Sequence, residues 1–117
     1  MKMSAETTID LPIDVLQPTN PYLLGEHLGK ERPLVPVEVL TAGTHHILID
    51  GHHRIYDAVR EGRTTVPVHI RNPMYYDQWA DLNGGRDAAY FQRLAKQCFR
   101  NGITSIRDYH NMEHFQF

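Results

Sequence analysis

The sequence predicts an α/β (α+β) fold in one compact domain, and three observations lead to that prediction. The 117 residues suit a single domain. Apolar residues alternate or form short runs up to residue 70, as in strands, and recur at helical spacing after residue 74. The hydrophobic fraction of 41% is typical of a globular protein. We therefore expect a single domain over residues 1–117, with a small mixed sheet and flanking helices, strand-rich from 7 to 70 and helical from 74 to 115.

The first elements are short and interrupted by proline. Residues 7–18, TTIDLPIDVLQP, show apolar alternation broken by Pro12, which predicts an edge strand or a strand followed by a turn. Residues 18–33 have prolines at both ends, with Leu23 and Leu24 in a helical spacing pattern. This second stretch predicts a short helix.

The middle of the chain reads as strand, strand, helix, strand. β-branched residues alternate in VPVEVL (35–40), and HILID (46–50) is apolar enough for a strand buried on both faces. Residues 53–61 carry one apolar helical stripe, and Gly62 is a good helix stop because glycine adopts the left-handed conformation cheaply. TVPVHI (65–70) predicts the next strand.

The last third of the chain has helical patterns. We expect helices over residues 75–82 and 86–100, separated by the Asn-Gly-Gly breaker, and another beginning near the Thr-Ser pair at 104–105. The 86–100 segment is the strongest of the three, because six apolar residues form one stripe. These residues are Ala88, Phe91, Leu94, Ala95, Cys98 and Phe99.

Composition limits the function classes. The formal net charge of −2 gives no overall basic field for nucleic acid. One cysteine, Cys98, rules out an internal disulfide and suits a reducing, cytoplasmic compartment. No apolar run reaches the roughly 18 residues that span a bilayer, and the N-terminal residues lack an apolar signal core. We therefore expect a cytoplasmic protein without a membrane partner.

The segment LIDGHHR places a polar corner where a strand meets a helix. A helix N-terminus presents unpaired N–H groups and positive potential, and a glycine there lets an anion approach the backbone. Arg54 adds a fork of donors suited to phosphate oxygens, and His52 or His53 adds a donor or a proton-transfer group. The alternative is a plain turn in which Gly51 permits the bend and Asp50 caps the helix.

The same segment resembles a known family. LIDGHHRIYDAVREGRTTVPVHI is similar to the central signature of the ParB/sulfiredoxin superfamily: a strand, a Gly-x-x-Arg box that opens a helix, a small residue at Ala58, a glycine at Gly62 and a Val-Pro-Val strand. The form DGHHR resembles ParB-like nuclease-domain proteins and free serine kinases. This resemblance implies that Gly51–Arg54 binds the phosphates of ATP, ADP or CTP with Mg²⁺, and that His53 orients a phosphoryl oxygen.

The resemblance extends to flanking segments, with departures. LNGGR places Asn83 and Arg86 where ParB proteins have a Glu-Asn-x-x-Arg motif, although Leu82 replaces the glutamate. LQPTNPYLLGEH is similar to the Pro-Asn-Pro segment ahead of the ParB box, and kinase-like relatives take a catalytic base from this half, which implies Glu26. In sulfiredoxins a reactive cysteine precedes the His-Arg pair, whereas this chain has His52.

Three functions follow as alternatives. The first is a nucleotide-binding domain that acts as a switch or as a phosphotransferase or NTPase, with His53 and Glu26 as catalytic residues and Asp50, Gly51, His52, His53, Arg54, Asn83 and Arg86 at the phosphates. The second is a DNA-binding protein or nuclease that holds a backbone phosphate at the same site. The third is a non-catalytic module that binds a protein partner. The sequence does not indicate an oligomeric state.

The histidines invite a metal interpretation. HNMEH (110–114) fits the His-x-x-Glu-His pattern of some zinc proteases, and its two histidines would share a helix face. The motif ends three residues before the last residue of the sequence, so no downstream helix supplies a third ligand. We therefore expect no zinc site, and we place His45 and His46 at a hairpin end.

Overall fold

The computed structural model describes residues 7–24, 36–110 and 115–116. Its strands, β1 to β7, are Thr7–Pro12, Leu16–Gln17, Leu23–Leu24, Val37–Ala42, His45–Asp50, Thr65–Arg71 and Phe115–Gln116. Its α-helices, α1 to α3, are His52–Arg60, Pro73–Gln78 and Ala88–Arg100. Three 3-10 turns, at Ile13–Val15, Ala80–Asn83 and Ile106–His110, complete the described elements.

Five strands form one mixed sheet in the order β1-β6-β4-β5-β2. β1 is antiparallel to β6, and β4 is antiparallel to β5. β4 is parallel to β6, and β2 is parallel to β5. The predicted α+β class with a small mixed sheet is therefore confirmed, and β1 is an edge strand that ends at Pro12 as the sequence indicates.

The predicted strand–helix–strand unit is present as β5, α1 and β6. Gly62 has a φ of 87°, so the helix ends at a left-handed glycine, and the Arg63 N–H donates to the Ala58 carbonyl at 3.0 Å. β4 and β5 form a hairpin in which Thr41 Oγ1 lies 2.9 Å from His46 Nδ1. His45 and His46 therefore lie at the hairpin end, as predicted.

The sheet has a hydrophobic core on each face. Val37, Val39 and Leu48 belong to a core that includes Ile55 of α1 and Tyr109 of the last 3-10 turn. Residues of β4 and β5 that point to the opposite face belong to a second core, which they share with α2 and α3. Its buried members are Leu40, Ile47, Tyr76, Ala88, Phe91 and Ala95.

Two predicted helices have a different structure. Leu23–Leu24 is a strand that pairs in parallel with Phe115–Gln116, because a partner far along the chain overrides the local helical spacing. Residues 25–33 of that predicted helix lie outside the described residues. After residue 104 the chain forms the 3-10 turn Ile106–His110 and then β7 instead of a continuous α-helix.

The remaining differences lie in the last third of the chain. The helix expected over 75–82 is α2, which ends at Gln78, followed by a 3-10 turn. The side chain of Phe99, a member of the predicted apolar stripe of α3, is 64% exposed. Within the described residues, no helix has the length and apolar character needed to cross a membrane.

Candidate anion-binding site

The corner between β5 and α1 is built around Gly51. This glycine is the N-cap of α1 with φ 107° and ψ 17°, and it has no side chain that could cap the helix. The N-cap is therefore Gly51 and not Asp50, contrary to the alternative drawn from the sequence. Its side chain is 79% exposed at the mouth of the corner.

Packing against β4 requires a glycine at this position. A Cβ on Gly51 would lie 2.4 Å from Val37 Cγ1 and 2.8 Å from Val37 Cβ, distances that atoms do not tolerate. The positive φ adds strain for any other residue. The glycine is thus explained by backbone conformation and by close approach to the sheet, independently of a ligand.

The Arg54 side chain folds back over the start of the helix. A Cβ on Gly51 would lie 3.4 Å from Arg54 Nη2, and the same nitrogen is 3.9 Å from Asp50 Oδ2. The guanidinium is 23% exposed, so it is partly desolvated but reachable. A pair at that distance with an exposed carboxylate is weak, which leaves the donors of Arg54 available for an anion.

His52 faces the protein interior. It is 2% exposed, and its Nε2 accepts a hydrogen bond from the Thr19 backbone N–H at 3.0 Å. Burial, and then the charge of neighbouring His53, lowers the pKa of His52 from 6.5 to about 3. His52 is therefore neutral near pH 7, and its Nε2 is occupied. This geometry argues against the proton-transfer role considered from the sequence.

A polar cavity of about 280 Å³ lies at the corner. Among the described residues, those that line it are Asn20, Ile49, Asp50, Gly51, His52, His53 and Arg54. The structure thus brings together five of the residues predicted for the phosphate site. The half-buried side chain of His53 contributes to the same wall.

Asn20 is a lining residue that the sequence interpretation did not assign to the site. Its backbone carbonyl accepts hydrogen bonds from the Tyr109 hydroxyl and from Cys98 Sγ, the latter at 3.3 Å. Thr19 next to it donates its hydroxyl to the Leu48 carbonyl at 2.8 Å. This segment is therefore fixed beside the corner. The similarity of LQPTNPYLLGEH to the Pro-Asn-Pro segment of ParB proteins was the sequence signal that could have identified it.

Two other predicted site residues, Asn83 and Arg86, do not line this cavity. Both are exposed, and the Arg86 guanidinium lies 5.9 Å from the centre of the Tyr90 ring. Arg86 also precedes α3 instead of opening it, since Asp87 is the N-cap and accepts from the Tyr90 N–H at 2.9 Å. Glu26 lies outside the described residues.

A second polar cluster lies on the other face of the sheet. Tyr76 of α2 donates its hydroxyl to Glu38 Oε2 at 2.5 Å, and Arg71 Nε is 3.7 Å from the same oxygen. Burial, and then the bond to Glu38, raises the pKa of Tyr76 well above 10. The Arg71 guanidinium also lies 4.1 Å from the centre of the Tyr75 ring. This cluster joins β4, β6 and α2.

The described residues contain no group of three or more histidines, cysteines or carboxylates that could hold a metal ion. Residues 111–114 of the HNMEH motif lie outside the described part of the chain, so its zinc interpretation is not addressed by the structure.

The fold and site define an α+β domain with a polar, anion-compatible cavity at a strand–helix corner. Neither the models of known protein families nor the curated protein sequences match this chain. The relation to the ParB/sulfiredoxin superfamily therefore stays a prediction from the motif.

Proposed function

We propose that the chain is a nucleotide-binding domain that holds the phosphates of ATP, ADP or CTP at the Gly51–Arg54 corner. The observation that supports this proposal is the polar cavity of about 280 Å³ at the N-terminus of α1, with Arg54 in its wall. α1 has nine residues, and its N-cap is a glycine, so no N-cap side chain occupies the N–H groups of the first turn. A helix N-terminus of this kind favours a negatively charged ligand.

In this proposal the corner supplies two kinds of donor. Backbone N–H groups of the first turn of α1 point toward the phosphate, and their positive potential needs no side-chain charge. Arg54 gives a charge-assisted contact, which is stronger than a neutral hydrogen bond. Asn20, which also lines the cavity, adds an amide group that orients the ligand.

Asp50 gives a reason to include Mg²⁺. Its exposed carboxylate lies at the mouth of the cavity and would repel a phosphate. Mg²⁺ in nucleotide sites is bound by one or two carboxylates together with phosphate oxygens and water. A single aspartate therefore fits a metal ion that arrives with the nucleotide, and no all-protein metal site is required.

The proposal also covers the reaction that follows nucleotide binding. His53 would orient a phosphoryl oxygen in a phosphotransferase or NTPase, while His52 serves as a neutral anchor for Thr19. Reaction at such a site depends mainly on positioning and charge neutralisation. We place this activity in the cytoplasm, where Cys98 would stay a thiol.

A thermal-shift panel tests the proposal. The protein is heated with ATP, ADP, CTP and pyrophosphate, each with and without Mg²⁺, and separately with single- and double-stranded oligonucleotides. A ligand at 100 times its Kd stabilises the folded state by about 2.7 kcal/mol, so the melting temperature should rise by several degrees. We expect this rise with a nucleotide, and a larger rise when Mg²⁺ is present.

Two variants test whether the Mg²⁺-dependent stabilisation arises at the corner cavity. Asp50→Asn should remove the Mg²⁺ dependence, whereas Glu61→Gln, an exposed residue just after the other end of α1, should leave it unchanged. A shift with oligonucleotides alone would instead support the DNA-binding alternative. No shift with any of these ligands would contradict the proposal and favour a partner-binding module.

A further inference from the structure

A second cavity, of about 450 Å³, lies between the sheet and α3. Its apolar lining residues in the described part of the chain are Ala42, Ile47, Ala95 and Phe99. Ile47 and Ala95 are buried, whereas the Phe99 ring is 64% exposed at the side of the cavity. The volume is within the range of small-molecule sites, which are mostly apolar with a few polar groups.

Four polar residues line this cavity within the described part of the chain: Gln17, His45, Gln92 and Lys96. Each can donate a hydrogen bond, and none of the described lining residues is acidic. Within the described residues, the Lys96 ammonium has no ion-pair partner and the His45 ring has no hydrogen bond. An exposed apolar ring next to an unpaired ammonium is an arrangement that complements a ligand with an apolar body and an anionic end.

We propose that this cavity binds a small amphipathic carboxylate. The apolar body lies against Ile47, Ala95 and Phe99, where burial removes apolar surface from water. The carboxylate lies at Lys96, with His45 and the two glutamine amides as further donors. A neutral ligand with the same body would leave the ammonium without a partner and would bind less tightly.

Size and position distinguish this site from the proposed nucleotide site. At about 450 Å³ this cavity is larger than the corner cavity of about 280 Å³. His45 and Asp50 are the two ends of β5, and a strand of this length separates them by about 17 Å. The inference therefore does not depend on nucleotide binding at Gly51–Arg54.

Octanoate and 1-octanol form a matched pair of probes, since they share an apolar chain and differ in charge. Amide shifts of the ¹⁵N-labelled full chain are followed during titration with each probe. Octanoate should move the signals of residues 42–47 and 92–99 in a saturable way and leave those of residues 51–54 unchanged. Octanol should bind about three- to fivefold more weakly, the effect of one partly screened charge pair.

Two variants separate the apolar and the charged contributions. Lys96→Gln should weaken octanoate about three- to fivefold, to the level of octanol, and leave octanol unchanged. Phe99→Ala should weaken both probes by the same factor. Arg93→Gln, also exposed on α3 but outside the cavity lining, is the matched control and should change neither affinity. Raising the salt concentration should reduce the difference between the two probes.

Several results would overturn the inference. They are equal affinity for octanoate and octanol, equal loss of octanoate affinity in Lys96→Gln and Arg93→Gln, and shifts that do not saturate at millimolar concentrations. Sedimentation that shows a dimer abolished by Phe99→Ala would assign the surface to a second copy of the chain. Melting temperatures close to that of the parent establish that the exposed substitutions leave the fold intact.

Discussion

His52 Nε2 accepts a hydrogen bond from the backbone N–H of Thr19, 33 residues earlier in the chain. The bond is 3.0 Å long and buried. It ties the first residue of α1 to the segment that carries Asn20, so two separate parts of the cavity lining are joined by a buried hydrogen bond. The bond needs a neutral imidazole, because a protonated Nε2 would oppose its donor to the Thr19 N–H.

The protonation of His52 should make stability depend on pH. Its pKa of about 3 in the folded state is below the ordinary value of 6.5. The stability that it contributes is therefore complete above about pH 6.5 and decreases as the pH falls toward 3. The slope is at most about 1.4 kcal/mol per pH unit. Urea unfolding measured between pH 7 and 4 checks this.

His52→Gln should give a flatter dependence of unfolding free energy on pH. His45→Gln, at an exposed position, should keep the parental dependence. The same pH dependence in all three proteins would contradict the prediction.

Arg54→Ala should weaken nucleotide binding while the domain stays folded. Loss of one charge-assisted phosphate contact costs about 1.5–3 kcal/mol, or roughly 10- to 150-fold in affinity. Titration calorimetry with the best nucleotide of the thermal-shift panel measures the change. Arg60→Ala, at the other end of the same helix, is the matched control and should bind like the parent. Equal affinity of the Arg54 variant and the parent would rule out the phosphate role.

Gly51→Ala should destabilise the fold more than Gly43→Ala. Both glycines have positive φ, but a Cβ at Gly43 meets no atom within 4 Å, whereas one at Gly51 collides with Val37. The conformation alone costs about 1–2 kcal/mol, and overpacking adds about 1–3 kcal/mol at Gly51. Urea unfolding of the two variants isolates the collision. The difference in unfolding free energy between the two variants should shrink when Val37→Ala is added to the Gly51 variant. Similar losses of stability in Gly51→Ala and Gly43→Ala would contradict the prediction, since they would show that the corner accommodates the added Cβ.

Tyr76→Phe should loosen the attachment of α2 to the sheet. The Tyr76 hydroxyl donates to Glu38 at 2.5 Å, and a hydrogen bond to a charged group contributes about 1.5–3 kcal/mol. We expect the lower part of this range, because Glu38 is partly exposed. The free energy of unfolding measures the loss. Tyr75→Phe removes a hydroxyl without a hydrogen bond in the described structure, so its stability should equal that of the parent. A loss of the same size in both variants would argue against this hydrogen bond.

Nucleotide should protect the corner from hydrogen exchange without affecting the Asn-Gly-Gly turn. Residues 51–56 contain the corner and the first turn of α1, whereas Asn83 and Arg86 do not line its cavity. Exchange with and without nucleotide should therefore slow at 51–56 and stay unchanged at 82–88. Protection at 82–88 would mean that this turn moves to the ligand, as the ParB-like motif implies.

The parts of the fold that follow from local pattern could be predicted from the sequence. β5, α1 and β6 each carry their own apolar period, and Gly62 ends α1 as predicted. Leu23–Leu24 shows the limit of this approach, because its pairing partner Phe115–Gln116 is far along the chain and no local signal reports it. Phe99 fits the stripe of α3 in sequence, but its side chain is 64% exposed, and helical spacing does not reveal which residues of a stripe the neighbouring layer covers.

The candidate site could be predicted in the same partial way. Asp50 to Arg54 are contiguous, so one motif placed them together, and the cavity contains all five. Asn20 comes from a different segment, and its position depends on hydrogen bonds from Cys98 and Tyr109 that only the folded structure reveals. The inward direction of His52 likewise depends on Thr19. Sequence identified two neighbouring histidines without indicating which one faces the core.

The close approach of Gly51 to Val37 also bears on how related chains can be recognised. The packing of α1 against β4 requires a glycine at this position. A sequence search that relies on this glycine will therefore find chains whose strand and helix meet in the same way, whether or not they bind a ligand. Arg54 has no comparable packing requirement among the described residues, where its ion-pair partner is the exposed carboxylate of Asp50. Ligand recognition is therefore best traced through homologues that have both arginine at position 54 and asparagine at position 20. Homologues that share only the glycine indicate common ancestry of the fold.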